Sequence, residues 1–481
     1  MRSPVLTKRD GLAALERLHA WLMTTPTGVL LAGGGCVALA ASSDIANSTN
    51  APREGGPLPA LLLALTLAVA FAAFVLATRW GFAAPESRPR GAALLARYAL
   101  YPLLLWAIFS AFQTASVIVS ALPRTLATAP VRYGSDDLYY NHYNALLVLR
   151  GENPYAGPWM AAEVRYFGDL AYTPLRRGQF SDPRHYPTRA EMDAVMSRYL
   201  RDPAHPPIEI DPRTTHSYPA GAFLVNVPGV WAGIPSVGFT QMLVFLAFLG
   251  VIVWVAPPRW RLVIALLALT VTDGAREVAG SDFEIWPLFF LALAWVSADH
   301  RWRSALSLGA ACAIKQTAWL AAPFYFVWVW RRDGAEEALR RTGIAAGFFA
   351  LVNLPWIVAT PGAWLASLFL PVSLPLLPDG SGLIGLSLTG VLPLFPPMVY
   401  SILEVAALAV ALLWYWRNWA RFPYAGLVLP LLPLFFAWRS SERYFVLLPL
   451  AGVLAVALTL RLRQTRTRDT DVMLAAATTP S

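Results

Sequence analysis

The chain has 481 residues, of which 57% are hydrophobic and 14% charged, with a formal net charge of +9 and a mean hydropathy of +0.50. An average soluble domain is about 45–50% apolar and about 25% charged, so this composition excludes an ordinary water-soluble fold and points to lipid as solvent. The basic residues sit in short clusters between apolar runs rather than on one patch, which fits anionic membrane lipids and argues against nucleic acid as a partner.

In chain order, apolar runs bounded by Arg, Pro or Gly fall at 27–45, 58–78, 96–121, 237–256, 261–275, 284–298, 304–316, 318–330, 343–360, 397–416, 424–438 and 444–460. Each is a candidate membrane span, although several are shorter than the roughly 20 residues a crossing helix needs. The fold expected is therefore an all-α polytopic membrane protein of about twelve transmembrane helices. The first run carries Ala38-Leu39-Ala40, which looks like a signal-peptidase site, but the charged stretch before it is long and further spans follow. An uncleaved helix is expected.

Orientation comes from the connections. With the N-terminus inside, every cytoplasmic connection carries at least two Arg or Lys, from Lys8 and Arg9 through Arg259 and Arg261 to Arg461 and Arg463. The short outer connection between the first two runs carries Arg53 alone. Both termini are thus expected in the cytoplasm. Residues 1–93 form an N-terminal segment with two additional spans, 94–462 the main membrane domain, and 463–481 a disordered cytoplasmic tail.

One connection, 122–236, is exceptional in length and rich in Tyr, Pro, Asp and Arg. Loops beyond about 12–15 residues are usually functional or disordered, and the aromatic content disfavours disorder. It is expected to be a partly helical cap on the outer face, with helices near 137–149 and 188–200. A Pro-broken apolar segment at 218–231 is expected along the membrane surface. Cys36 and Cys312 lie inside apolar runs and read as small hydrophobes.

Four constellations carry ionisable residues near the outer boundary, where charge is expensive and marks function. Asp136 and Asp137 open the loop, and suit a general base or a divalent cation as readily as helix capping. His142, without other ligands at metal spacing, reads as a plain polar residue. In the turn between the fifth and sixth runs, Arg276, Glu277, Asp282 and Glu284 form either a site or a self-compensating surface cluster. Lys315 is one of only two lysines and sits between two short apolar runs, where a compact ammonium suits a phosphate or else snorkels. Arg439 and Arg443 face outward against the cytoplasmic bias, either to bind phosphate or to pair with Glu442. Neither a Gly-rich nucleotide loop nor HExxH, CxxC or a nucleophile elbow occurs.

At these residues the chain resembles the GT-C glycosyltransferases, the integral membrane enzymes that use polyprenyl-phosphate sugars, and most of all the bacterial mannosyltransferase-like and aminoarabinose-transferase-like members. The likeness runs from about Leu94 to Leu462 by order of elements. It rests on Asp136-Asp137, on the Arg-Gly-Glu-Asn-Pro-Tyr ending at Arg150–Tyr155, and on His216–Phe223, where Ala220 replaces the family's second Pro. Asp282, Lys315 and Glu442-Arg443-Tyr444-Phe445 complete it.

The resemblance implies sugar transfer from a polyprenyl-phosphate donor to a glycan, lipid or protein acceptor at the outer face of the inner or plasma membrane. Asp137 or Asp136 would be the catalytic base; Lys315, Arg443 and Arg439 would bind the donor phosphate; Asp282, Glu284, Arg276 and Tyr218 would lie around the acceptor. It leaves open whether a divalent cation joins Asp136 and Asp137, and implies no other cofactor. From the residues themselves, a transporter or lipid flippase is the alternative, although no internal repeat of the kind such proteins carry is visible.

Overall fold

The computed structural model describes residues 8–49, 56–80, 90–127, 131–169, 171–281 and 283–478. Helices dominate throughout. Two cross early, α2 (Thr27–Thr49) and α3 (Pro57–Ala77), after a short α1 (Lys8–Met23); the long α4 (Arg90–Thr125) follows. Their lipid-facing sides stay apolar: Leu58, Leu65, Leu105, Phe112 and Val119 are all exposed. In water such a surface would be a liability, whereas in hydrocarbon it costs nothing.

Among the described residues, seven helices are long and apolar enough to cross a membrane, or eight if one bent pair counts as a crossing. The chain is an all-α polytopic membrane protein. The seven correspond to the runs beginning at 27, 58, 96, 237, 343, 397 and 444. The remaining runs form shorter or broken helices instead: α11 (Arg261–Ala268), α12 (Thr272–Gly280), α13 (Ile285–Val296), α14 (Arg301–Ile314), α15 (Thr317–Asp333) and α20 (Leu432–Phe436). The bent pair is α12 with α13, turned by 118°.

The loop expected as a cap folds as one. Helices α5 (Asp136–Leu149), α6 (Met160–Phe167), α7 (Arg189–Arg201), α8 (Gly221–Leu224) and α9 (Val227–Trp231) build it. A capping box starts α7: Thr188 accepts from the Glu191 amide while the Glu191 carboxylate takes the Thr188 amide. Its core is aromatic, with Tyr139, Tyr199, Phe180 and Leu138 fully buried. Pro219 and Pro228 break the 218–231 segment into the two short helices α8 and α9.

The bundle core closes with α10 (Val237–Val255), α16 (Ala335–Ala359), α17 (Pro361–Ser373), α18 (Leu383–Leu388), α19 (Pro397–Asn418) and α21 (Leu448–Thr478). Helix α21 continues well into the segment read from sequence as a tail. Within the bundle Phe74 of α3 is fully buried, and a Cβ at Gly452 of α21 would strike its ring. That glycine lets two helices close on each other where lipid offers no hydrophobic drive. Among the described residues, two short parallel strands pair, Asp379–Gly380 (β1) and Arg439–Ser440 (β2), and Leu175 and Leu376 form an isolated bridge.

Candidate active site

The acidic motif sits at the N-terminus of α5, where both carboxylates lie in the first turn and favour the helix dipole. The N-cap position is Ser135, whose side chain makes no cap bond, while Asp136 Oδ1 accepts from the Asp137 amide at 3.0 Å. The other oxygen, Oδ2, accepts from Thr173 Oγ1 at 2.6 Å, a long-range contact that no capping role needs.

Asp137 reaches further. Its Oδ2 lies 2.8 Å from Lys315 Nζ, and its Oδ1 accepts from the Tyr218 hydroxyl. Lys315 is equally bound on its far side, 2.9 Å from Glu284 Oε1. The ammonium also stands 5.0 Å from the Tyr218 ring centroid. Thr317 donates to Glu284 Oε2 at 2.8 Å. Residues separated by up to 178 positions thus form one ion cluster, in which Lys315 is 5% exposed.

The broken helices explain how. Lys315 caps α14 in an extended conformation, φ −149° and ψ 145°, and α15 starts two residues later. A continuous helix would aim this side chain along its own flank. The break turns it toward Asp137, while Gln316 anchors the corner on the Ser217 and Leu368 carbonyls at 2.7 and 3.2 Å. Glu284 occupies the N-cap of α13, at the bend of the α12–α13 pair. Tyr218 is fixed by its own carbonyl, which accepts from Tyr155 of the Asn-Pro-Tyr ending at 2.7 Å.

Gly134 ties the acidic turn to its surroundings. Its amide donates to the Gly280 carbonyl at 2.7 Å, and its carbonyl accepts from Arg443 Nη2 at 3.1 Å. A side chain there would collide with Ser281. Arg443 also lies 3.4 Å from Glu277. Arg439 is placed by the β1–β2 pairing opposite Asp379, and its Nη1 is buried with no hydrogen-bond partner among the described residues. Arg443 thus contacts Glu277 and Gly134, and its charge also acts on Glu442.

One expected member stands apart. Arg276 pairs with Asp273 at 2.6 Å and its side chain is 59% exposed, so it belongs to a surface ion pair. Asp282 lies outside the described residues. His142 is a buried core residue, its Nδ1 2.9 Å from the Tyr133 hydroxyl, and burial holds its pKa down at about 4. At Ala220 the amide donates to Asn353 Oδ1 at 2.9 Å, a bond that a proline would forfeit.

The two aspartates are driven apart electrostatically. For Asp136, burial and the adjacent Asp137 charge push the pKa up. For Asp137, burial pushes up as well, but the Lys315 charge and hydrogen bond, with the Tyr218 hydroxyl, outweigh it and hold the carboxyl down. Adjacent carboxylates with opposed shifts are a familiar basis for dividing acid and base roles.

Sequence reasoning passed over Glu163, Thr173 and Thr317. Glu163 is wholly buried with neither oxygen hydrogen-bonded among the described residues, and burial plus the Asp136 charge raise its pKa well above the ordinary carboxylate range. Thr317, two residues from Lys315, was within reach of a closer reading; Glu163 and Thr173 lie in the cap with no local signal. Beside the ion cluster an apolar cleft opens, lined by Pro287, Leu288, Leu291, Ala321, Leu434 and Leu447, with Glu284, Thr317 and Tyr444 as its polar lining. Among the described residues no group of three or more His, Cys, Asp or Glu is arranged to hold a metal ion.

No family model, curated protein or solved structure matches this chain.

Proposed function

We propose that this membrane protein is a glycosyltransferase that moves a sugar from a polyprenyl-phosphate donor to a glycan, lipid or protein acceptor on the outer face of the inner or plasma membrane. The observation that carries the reading is the Asp137–Lys315–Glu284 cluster at the edge of an apolar cleft, with the buried Arg439 guanidinium and Arg443 nearby. A lipid-linked anionic donor needs this combination: a dry groove for the prenyl chain, cations for the phosphate and a carboxylate for the acceptor.

The roles divide as follows. Asp137 stays ionised and, with Glu284, holds Lys315 in place. The Lys315 ammonium, with Arg439 and Arg443, receives the donor phosphate and offsets the charge that grows on it as the glycosidic bond breaks. Asp136, held above the usual aspartate range, has the basicity to take the proton of the acceptor hydroxyl or amine as that group attacks the anomeric carbon. The reading also carries about twelve crossings, the short helices around Lys315 counting as partial ones, and both termini in the cytoplasm.

The buried ion cluster between broken helices also favours a second reading, a transporter or lipid flippase, since such proteins bind substrate at helix breaks. Membranes containing the chain, supplied with radiolabelled polyprenyl-phosphate sugars, separate the two. Label passing to a new acceptor, and lost in the Asp136→Asn/Asp137→Asn variant, supports the transferase. Label appearing across the bilayer with its lipid linkage intact supports transport and overturns the transferase.

A further inference from the structure

A second feature lies at the opposite end of the bundle. Val237, at the start of α10, donates its amide to the Tyr133 hydroxyl at 3.0 Å and so belongs to the cap layer. Trp254, 17 residues further along the same helix, is roughly 25 Å away at the helical rise of about 1.5 Å per residue. There a groove of about 370 Å³ opens between α10 and α11, within the range of ligand pockets. Leu249, Val253, Ala265 and Leu269 line it along with Trp254 and Arg261.

Gly250 lines the groove, and a Cβ built there meets nothing within 4 Å, so the helix surface beside it is open. Two guanidinium groups stand at its mouth. Arg261 lines it directly, and Arg461 of α21 lies 5.4 Å from the Trp254 ring centroid. Neither forms an ion pair among the described residues, in contrast to Arg301, Arg340 and Arg341, which all have carboxylate partners. Trp254 is 63% exposed and Leu262, next to Arg261 in the chain, is 66% exposed, as expected of a surface that meets lipid.

We propose that this groove is a binding site for an anionic phospholipid. One acyl chain lies in the trough over Gly250, and the phosphate bridges Arg261 and Arg461. The shape of the groove asks for an alkyl chain, and the two unpaired arginines ask for a negative headgroup. The site is independent of sugar transfer, because it lies at the far end of the bundle from Asp137 and Lys315.

The test uses the full-length chain in detergent, offered equal amounts of phosphatidylglycerol and phosphatidylcholine with identical acyl chains, with bound lipid read by native mass spectrometry. Wild type is expected to retain phosphatidylglycerol at least tenfold over phosphatidylcholine. Each arginine contributes roughly fivefold, the worth of a basic residue at an anionic surface, so Arg261→Gln/Arg461→Gln brings the preference near unity. Gly250→Leu keeps both arginines but fills the trough, and is expected to lower retention of both lipids. Glycerol phosphate, a headgroup without chains, is expected not to compete. Equal retention of the two lipids by wild type, retention unchanged by either variant that folds, or competition by glycerol phosphate would overturn the proposal.

Discussion

Replacing Lys315 by Ala tests the centre of the site most directly. The ammonium lies 2.8 Å from Asp137 and 2.9 Å from Glu284, and its side chain is 6% exposed. Removing it leaves two carboxylates facing each other with no cation between them. Breaking a buried ion pair costs about 3–5 kcal/mol, most of it from the uncompensated charge that remains. A change of 1 kcal/mol moves the melting temperature of a large domain by about 2 °C, so a fall of roughly 6–10 °C follows. The triple variant Lys315→Met/Asp137→Asn/Glu284→Gln removes all three charges and is expected to recover most of that loss, since neutral isosteres carry no desolvation penalty. Transfer activity behaves differently: it drops on the order of 10²–10³ in the single variant, the scale of losing one electrostatic stabiliser, and stays lost in the triple. Fluorescence-detected size-exclusion after heating reads stability, and label transfer in membranes reads activity. A single variant that melts like wild type would refute the ion cluster. One with full activity would remove Lys315 from the chemistry.

Three further outcomes follow from the geometry. The acid limb of the rate–pH profile is expected above the ordinary aspartate value of about 3.9, because burial and Asp137 raise Asp136; rate is lost as pH falls through that raised value, and Asp136→Asn is expected to be inactive at every pH. Asp137, held down, stays ionised across the same window. For Glu163 the sign runs the other way: its raised folded pKa means the fold keeps this carboxyl neutral, so stability declines as pH rises past the unfolded value of about 4.3. Glu163→Gln mimics the neutral form and is expected to flatten the dependence of melting temperature on pH between 5 and 8; an unchanged slope would show that Glu163 is ionised. Arg276→Ala, which loses only an exposed pair with Asp273, is expected to keep stability within about 1 kcal/mol and activity near wild type. A hundredfold loss there would return it to the site.

Much of this protein is written locally. Lipid-length apolar runs fix where long helices form, because in hydrocarbon every backbone group must bond within its own segment. The proline breaks in 218–231 and the helix near 188–200 are equally local, and so were legible. The rarity of Lys315 and the paired aspartates singled out residues that the fold brings into one cluster, since charge beside a membrane persists only where something uses it.

What the sequence did not hold is which charges meet. Glu284 and Arg276 lie eight positions apart in one turn, yet the bend of α12 against α13 sends the first to Lys315 and leaves the second on the surface. Short apolar runs read equally well as crossings or as broken helices, and only packing against α10, α16 and α21 decides between them. Glu163 and Thr173 reach Asp136 through the fold of the cap, with no spacing that announces it. Composition and periodicity are properties of a single segment, and they determined the solvent, the helices and the candidate residues. The pairing of Asp137 with Lys315 across 178 positions is a property of the packed bundle, and only the tertiary structure supplied it.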